Sequence, residues 1–400
     1  MAPSTSAEPT SKLHVVYLNY WYEPEMSTFD DLFGTYVTMA RWVEALRAQG
    51  AEVTVLQRFR QGGRIERAGI KFVLHEDRWA PRLRKWEWPA SFHRRAQQLS
   101  AEIASQRALG VVHFNGLHFP LQLRALRAVL PPASAIVVQH HAERPARGLR
   151  RRLQQWGLGA ADGFFFAASE LASAWVAHGV IRTDQPVYQV MEGSTDFRRQ
   201  DRAAARARTG FKGDPILLWV GRLIPLKDPL TVLRGFEAVL HQKPRASLYM
   251  VYGSDVLLPE VRACIAQSRL LSGSTTLLGS RPHAELESLY NSADYFVLGS
   301  HYEGSGYALT EALACGVVPV VTDIASFRVL TDGGKIGACW PPGDSAAFAT
   351  AIHRASSAPY QIQAERAAKF FEQRLSFPAI ARQAIAAYRE LATKRAELTP

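Results

Sequence analysis

The sequence predicts an α/β protein built from two doubly wound, Rossmann-like domains. Three observations point there. Short apolar runs rich in β-branched and aromatic residues alternate with helix-period segments along nearly all of the 400 residues. Those runs are hydrophobic throughout instead of alternating, as parallel strands covered on both faces must be. The series also breaks once, between VYQV (187–190) and ILLWV (216–220), where turn residues, charge and a helical patch replace any strand. A hydrophobic content of 47% over this length is enough for two separate cores.

Taken in chain order, residues 1–12 (MAPSTSAEPTSK) are polar with no apolar centre, so they read as a flexible leader and not as a secretion signal. HVVYLNYW, EVTVLQRF, IKFVLH, GVVHFNG, AIVVQHH and FFFAAS then supply the strands of a first domain, 13–192. A linker near 191–197 leads to a second domain, 197–376, with ILLWVGRL, SLYMVYG, TTLLG, YFVLGS and VPVVTD as its strands. After GDSAAFATAI the pattern is helical to the end. Within 377–400, FPAIARQAIAAYRELATKRAE places Ile380, Ile385 and Tyr388 on a helical repeat, an apolar stripe that has to be buried.

Composition narrows the function classes. No apolar run reaches the roughly 18–20 residues that span a bilayer, so a soluble, cytoplasmic protein is expected. Cys264, Cys315 and Cys339 are widely spaced and odd in number, which suits buried reduced thiols better than a disulfide frame or a zinc site. The net charge of +11 implies an anionic partner. Two segments carry much of that charge. RWAPRLRKWEWPASFHRR (78–95) mixes six cations with Trp79, Trp86 and Trp88, and RGLRRRLQQW (147–156) is similar in kind. Both suit either the headgroup layer of an anionic membrane, with the protein peripheral on its inner face, or a solvated helix with its indoles turned inward.

Ligands of doubly wound sheets bind beyond the carboxyl ends of the strands, so the chemistry is sought in the loops there. WVGRLIPLKDP puts Arg222 and Lys227 in a turn after a strand, two cations suited to a diphosphate. In YFVLGSHYEGSGYALTEALACGVVPVVTD a glycine turn precedes a helix that opens near Tyr307. Gly304 and Gly306 leave room for a close backbone approach, and the helix start offers N–H groups to an anion. Glu303 and Glu311 stand eight positions apart across that turn. Eight helical residues rise about 12 Å, whereas a retaining glycosidase needs its carboxyls about 5–5.5 Å apart. One acid holding a ribose and the other a sugar, with phosphates between, describes a nucleotide sugar.

VGRLIPLKDP, SADYFVLGSHYEGSGYALTEALACGVVPVVTD and WPPGD together resemble the retaining GT-B glycosyltransferases of family 4, whose signature is two glutamates separated by seven residues. The resemblance covers most of the second half and is looser in the first. It implies two domains facing across a cleft, with the C-terminal helix crossing back. It also implies transfer of a hexosyl or related sugar from a UDP- or GDP-sugar to a hydroxyl acceptor, lipid-linked or a cell-surface glycan precursor. No cofactor or metal is expected. By position, Gly221, Arg222 and Lys227 match the diphosphate loop and Gly304, Ser305, Gly306 and Tyr307 the phosphate-binding turn. Glu303 matches the acid on the donor sugar, and Glu311 the acid on the ribose. Gly34 matches one of a glycine pair near the phosphates, the other being replaced by Phe33. His140 fits the register of a histidine that reaches toward the donor sugar, with His141 the alternative, and His113 falls where many members have a histidine at the cleft wall. Glu303, His140, Arg222 and Lys227 are thus the catalytic candidates.

Two rivals remain at this level: an epimerase or phosphorylase on the same fold, and a basic nucleic-acid-binding protein. The first lacks a marked cofactor lysine. The second leaves Glu303 and Glu311 without a role.

Overall fold

The structure, a computed structural model, describes residues 12–23, 25–76, 94, 96–98, 100–101 and 109–398. The chain divides into two compact units, one of residues 1–193 with 380–400 and the other of 194–379. The leader, apart from Lys12, and the basic tryptophan-rich segment, apart from Arg94, lie outside the described residues.

The first unit is an eight-stranded sheet in the order β3-β4-β2-β1-β5-β6-β7-β8. Its strands are β1 (Leu13–Asn19), β2 (Glu52–Phe59), β3 (Gly63–Arg67), β4 (Ile70–Glu76), β5 (Leu109–Asn115), β6 (Ala135–Gln139), β7 (Gly163–Phe166) and β8 (Val187–Gln189). Helices α1 (Phe29–Thr35), α2 (Val37–Ala48), α3 (Pro120–Val129), α4 (Leu149–Leu158) and α5 (Ser173–Ala177) belong to it. The second unit is a wholly parallel sheet, β11-β10-β9-β12-β13-β14. These strands are β9 (Ile216–Gly221), β10 (Ser247–Tyr252), β11 (Thr275–Gly279), β12 (Tyr295–Leu298), β13 (Val318–Thr322) and β14 (Ala338–Trp340). Its helices are α6 (Arg202–Thr209), α7 (Pro229–Gln242), α8 (Leu258–Ala266), α9 (Arg269–Ser274), α10 (His283–Ser292), α11 (Tyr307–Ala314), α12 (Ala325–Leu330), α13 (Ser345–Ser356) and α14 (Tyr360–Phe370).

Every apolar run read as a strand forms one, and β1, β6, β7, β12 and β13 are buried along their length. Two strands carry no such signal. β3 (GRIER) pairs antiparallel on the sheet edge and is exposed over its last four residues, so nothing requires it to be apolar. β14 is too short to register. The three thiols are free, with Cys315 buried and Cys264 and Cys339 partly so.

Order reversals define where ligands fit. In the first sheet, β1 runs on to β2 on one side while β5 starts the series on the other. The second sheet reverses between β9 and β12. Loops leaving the carboxyl ends of strands flanking such a reversal diverge and leave a crevice.

The last helix, α15 (Phe377–Glu397), covers the predicted span, and Ile380, Ile385 and Tyr388 are buried. Tyr388 anchors it to the first sheet. His113 on β5 lies 2.6 Å from the Tyr388 hydroxyl through Nδ1 and stacks on Tyr17 with centroids 4.7 Å apart. Trp42, Phe165 and Tyr388 complete the cage. His113 is therefore a core residue. Burial, with a smaller contribution from His141, lowers its pKa to about 3.

A histidine kept neutral in the fold but free to charge when unfolded makes the folded state bind fewer protons. Stability is full above the ordinary histidine pKa near 6.5 and declines as pH falls through it toward 3, by at most about 1.4 kcal/mol per pH unit for this group. His140, also lowered, adds in the same direction. Denaturant midpoints measured from pH 7 to 4 are expected to fall in the native chain and to fall less in His113→Phe.

Candidate functional site

Two polar clusters occupy the carboxyl ends of the sheets, one in each unit. In the second unit, β9 ends at Gly221 and the chain enters a 3-10 turn, Pro225–Lys227. Asp228 follows in the left-handed region (φ 43°) and caps α7 by accepting from Thr231 N at 3.2 Å. Its other oxygen takes His301 Nε2 at 3.0 Å. The β9 loop is thereby tied to the loop after β12, which also donates from His301 N to Leu226 O at 2.9 Å. Gly299 is needed at that approach, because a Cβ there would sit 2.8 Å from Asp228 O.

Across this tie, Lys227 Nζ and Glu303 Oε1 form an ion pair with both side chains largely buried, 14% and 11% exposed. Ser300 Oγ donates to the same carboxylate oxygen at 2.6 Å. Arg222 is exposed and forms no ion pair among the described residues. The structure thus joins Lys227 to Glu303 and leaves the Arg222 guanidinium in solvent.

Glu303 lies outside α11, which opens at Tyr307 behind Gly306. Gly306 has φ +70°, and a Cβ on it would meet Leu330 Cδ1 at 2.9 Å and Phe327 at 3.1 Å. As N-cap it has no side chain with which to occupy the first turn's donors. Ser326 fixes the turn by donating to Glu303 O at 2.5 Å and Gly304 O at 3.2 Å. Gly304, Ser305 and Gly306 are buried beneath it.

Glu311 projects from the second turn of α11 toward α10. His283 Nε2 lies 2.8 Å from Oε1, and Tyr290 OH donates to Oε2 at 2.9 Å. Phe197 stacks on His283 at 4.8 Å. The hydrogen bond to Glu311 raises the His283 pKa, while burial, then Glu311, pushes the Tyr290 hydroxyl far up. Neither partner was legible from spacing, since they stand 28 and 21 residues before the acid they hold.

In the first unit a polar chain runs across the strand ends. Gln57 and Asn19 are bonded at 2.9 Å, and Asn115 Nδ2 donates to Asn19 Oδ1 at 3.4 Å. Asn115 Oδ1 then takes the Nε2 of His141, whose Nδ1 is ion-paired with Glu192. Acceptors on both ring nitrogens favour the imidazolium form of His141. Burial pulls its pKa down, but the Glu192 charge and hydrogen bond outweigh it and the net shift is upward.

His140, expected to reach toward the donor sugar, lies in the buried packing of the first unit. Its ring is 1% exposed and stacks on Phe166 at 4.4 Å. Nε2 donates to Glu143 O at 2.9 Å, and Nδ1 accepts from Ala142 N at 3.4 Å. Both nitrogens are committed, and burial lowers its pKa despite Glu143. His141 is the accessible member, its side chain 34% exposed. Gly34 sits exposed within α1, with nothing within 4 Å of a Cβ. Phe33 turns onto Phe72 at 5.0 Å, with the Arg67 guanidinium 4.3 Å over its ring, so its bulk is used in packing.

Among known families, residues 201–373 match the model for glycosyl transferases group 1. That segment is similar to the group 1 glycosyl transferases. D-inositol 3-phosphate glycosyltransferase of Nocardia farcinica is 30% identical over 164 residues, 40% of this chain and 36% of that one. The Streptomyces bingchenggensis enzyme of the same name is 30% identical over 217 residues, 50% and 47% of the two chains. The match therefore spans less than half of each of these relatives. Solved structures extend the likeness beyond the group 1 segment. Sucrose-phosphate synthase from Thermosynechococcus elongatus superposes with a TM-score of 0.66 at 20% identity, covering 96% of this chain and all of that one. Anabaena HepE, solved with UDP and glucose, gives 0.64 at 14%, covering 94% and 100%. The fold is GT-B.

The cause assigned to the His141 shift is testable. Glu192→Gln is expected to bring the His141 pKa down toward or below the ordinary histidine value, read from its imidazole resonances in an NMR titration.

Proposed function

We propose that the chain transfers a hexosyl or related sugar from a nucleotide diphosphate sugar to a hydroxyl acceptor, with retention at the sugar carbon and without a metal ion. One observation carries the reading: Lys227, Glu303 and the uncapped start of α11 gather at the reversal of a parallel sheet within a group 1 segment. A sheet reversal is where nucleotides bind in such folds. An ammonium, a nearby exposed guanidinium and a helix start are what a departing diphosphate requires.

In this reading Lys227 moves from Glu303 to the diphosphate when donor binds, and Arg222 closes onto the second phosphate. Glu303, released, accepts hydroxyls of the donor sugar, and Ser300 holds its remaining oxygen in register. Glu311 accepts from the ribose hydroxyls, with Tyr290 and His283 setting the direction of its carboxylate. Charge accumulating on the leaving oxygen is met by fixed cations, and the acceptor proton passes to a phosphate oxygen on the same face. Support for a uridine donor comes from HepE and from an Escherichia coli protein solved with UDP-2-fluoro glucose. The acceptor is a hydroxyl compound, lipid-linked or a glycan precursor.

Thermal denaturation with UDP, GDP and their sugars tests the donor half. A nucleotide at about 100 times its Kd stabilises by about 2.7 kcal/mol, a rise of a few degrees. The rise is expected to be largely lost in Lys227→Gln and reduced in Glu311→Gln, and Lys227→Gln is expected to lower kcat/KM about 100- to 1000-fold. No shift with any nucleoside diphosphate would sink the proposal.

A further inference from the structure

Helix α4 and its approach carry five arginines and no acid from Arg144 to Leu158, and α3 beside it carries none either. The buried side of α4 is set by Gly157 and Leu158. A Cβ on Gly157 would lie 2.2 Å from Pro120 O, and Leu158 is 1% exposed in the core of the first unit. Leu149, Arg152 and Trp156, spaced i, i+3 and i+7, fall on the opposite side.

That outward side is not the polar face a solvated helix presents. Leu149 is 82% exposed and Trp156 52%, while Leu121 on α3 adds 39%. Arg124, one turn on from Leu121, holds its guanidinium 5.3 Å over the Trp156 ring. Arg147, Arg150, Arg151 and Arg152 are exposed and form no ion pair among the described residues. Apolar side chains standing out of a ring of unpaired cations match the interface of an anionic bilayer, where the apolar groups enter the acyl boundary and the guanidinium groups stay at headgroup level.

We propose that the α3–α4 face of the first unit docks on the surface of an anionic lipid bilayer, with Leu149 and Trp156 inserted and Arg147 and Arg152 on the headgroup phosphates. Leu149 decides between a bilayer and a polynucleotide. A nucleic-acid backbone would take the arginines, and a base could stack on the indole, but a fully projecting leucine gains only from a hydrocarbon phase. The docking face does not depend on the donor chemistry of the second unit.

The test is flotation of the full chain with phosphatidylglycerol–phosphatidylcholine vesicles, with pure phosphatidylcholine vesicles for comparison. The native chain is expected to float with the anionic vesicles only. Each arginine is worth about fivefold in partitioning, so the double variant Arg147→Ser, Arg152→Ser is expected to bind about 25-fold more weakly. The double variant Leu149→Ser, Trp156→Ser keeps the charge and is expected to bind only at low salt. Unaltered melting temperatures in both variants show that they fold. Binding unchanged in both variants, equal binding to neutral vesicles, or tighter retention on single-stranded polynucleotide than on vesicles would each overturn the proposal.

Discussion

Lys227 and Glu303 meet where the second sheet reverses, and neither side chain could rest at that depth alone. A single charge so little exposed carries a desolvation penalty of several kcal/mol, which an opposite charge and a hydrogen bond can offset. Ser300 supplies that bond and is itself held at its carbonyl by Thr322 Oγ1 at 2.6 Å. The pair therefore fixes the loops after β9 and β12 against each other, and the end of β13 backs them. It also leaves a cation and an anion side by side with no permanent need of each other. A ligand that brings both phosphate and hydroxyl groups can satisfy each separately, whereas one bringing phosphate alone would strand the carboxylate. Under the proposed function, that resting contact favours a whole nucleotide sugar over its fragments.

The first unit solves a related problem with two adjacent imidazoles. His140 and His141 differ by one position, yet burial shifts one toward its neutral form while the charge of Glu192 shifts the other toward its charged form. Strand geometry separates them: β6 ends at Gln139, so His140 still turns into the aromatic packing around Phe166 and Trp175 while His141 clears the edge. Glu143 serves both. Its carbonyl accepts from His140, and its carboxylate accepts from Leu117 N at 2.8 Å and from the His141 amide. One residue thereby closes the loops after β5 and β6 into a single frame, and Glu192, from beyond β8, supplies the charge that raises the His141 pKa.

Much of this was legible in the sequence, for reasons that also explain what was not. The buried parallel strands announce themselves because both faces must be apolar, and the spacing of Glu303, Gly306 and Glu311 is fixed by one turn and the first turns of one helix. Local geometry of that sort survives in a linear string. The choice between His140 and His141 depends on Asn115 and Glu192, 26 and 51 positions away from His141, and no local period encodes those contacts. The packing of Phe33 on α1 against Phe72 on β4 is another contact that no local spacing announces.

The turns that carry these side chains are held in backbone conformations that their residue types disfavour. Asp228 and Ala142 both have positive φ, 43° and 68°, and a non-glycine residue there costs about 1–3 kcal/mol unless its surroundings over-determine it. Asp228 is over-determined by its own carboxylate, one oxygen on Thr231 N and the other on His301. Ala142 has no such side chain, and its N–H is instead received by His140 Nδ1. This gives the buried histidine a definite task. An imidazole can accept from one main-chain N–H and donate to one carbonyl at the same time, which an amide or hydroxyl of similar reach cannot do while also stacking on Phe166. His140 is thus explained by the turn it stabilises, and that turn is what delivers His141 to the strand edge with both of its nitrogens facing acceptors.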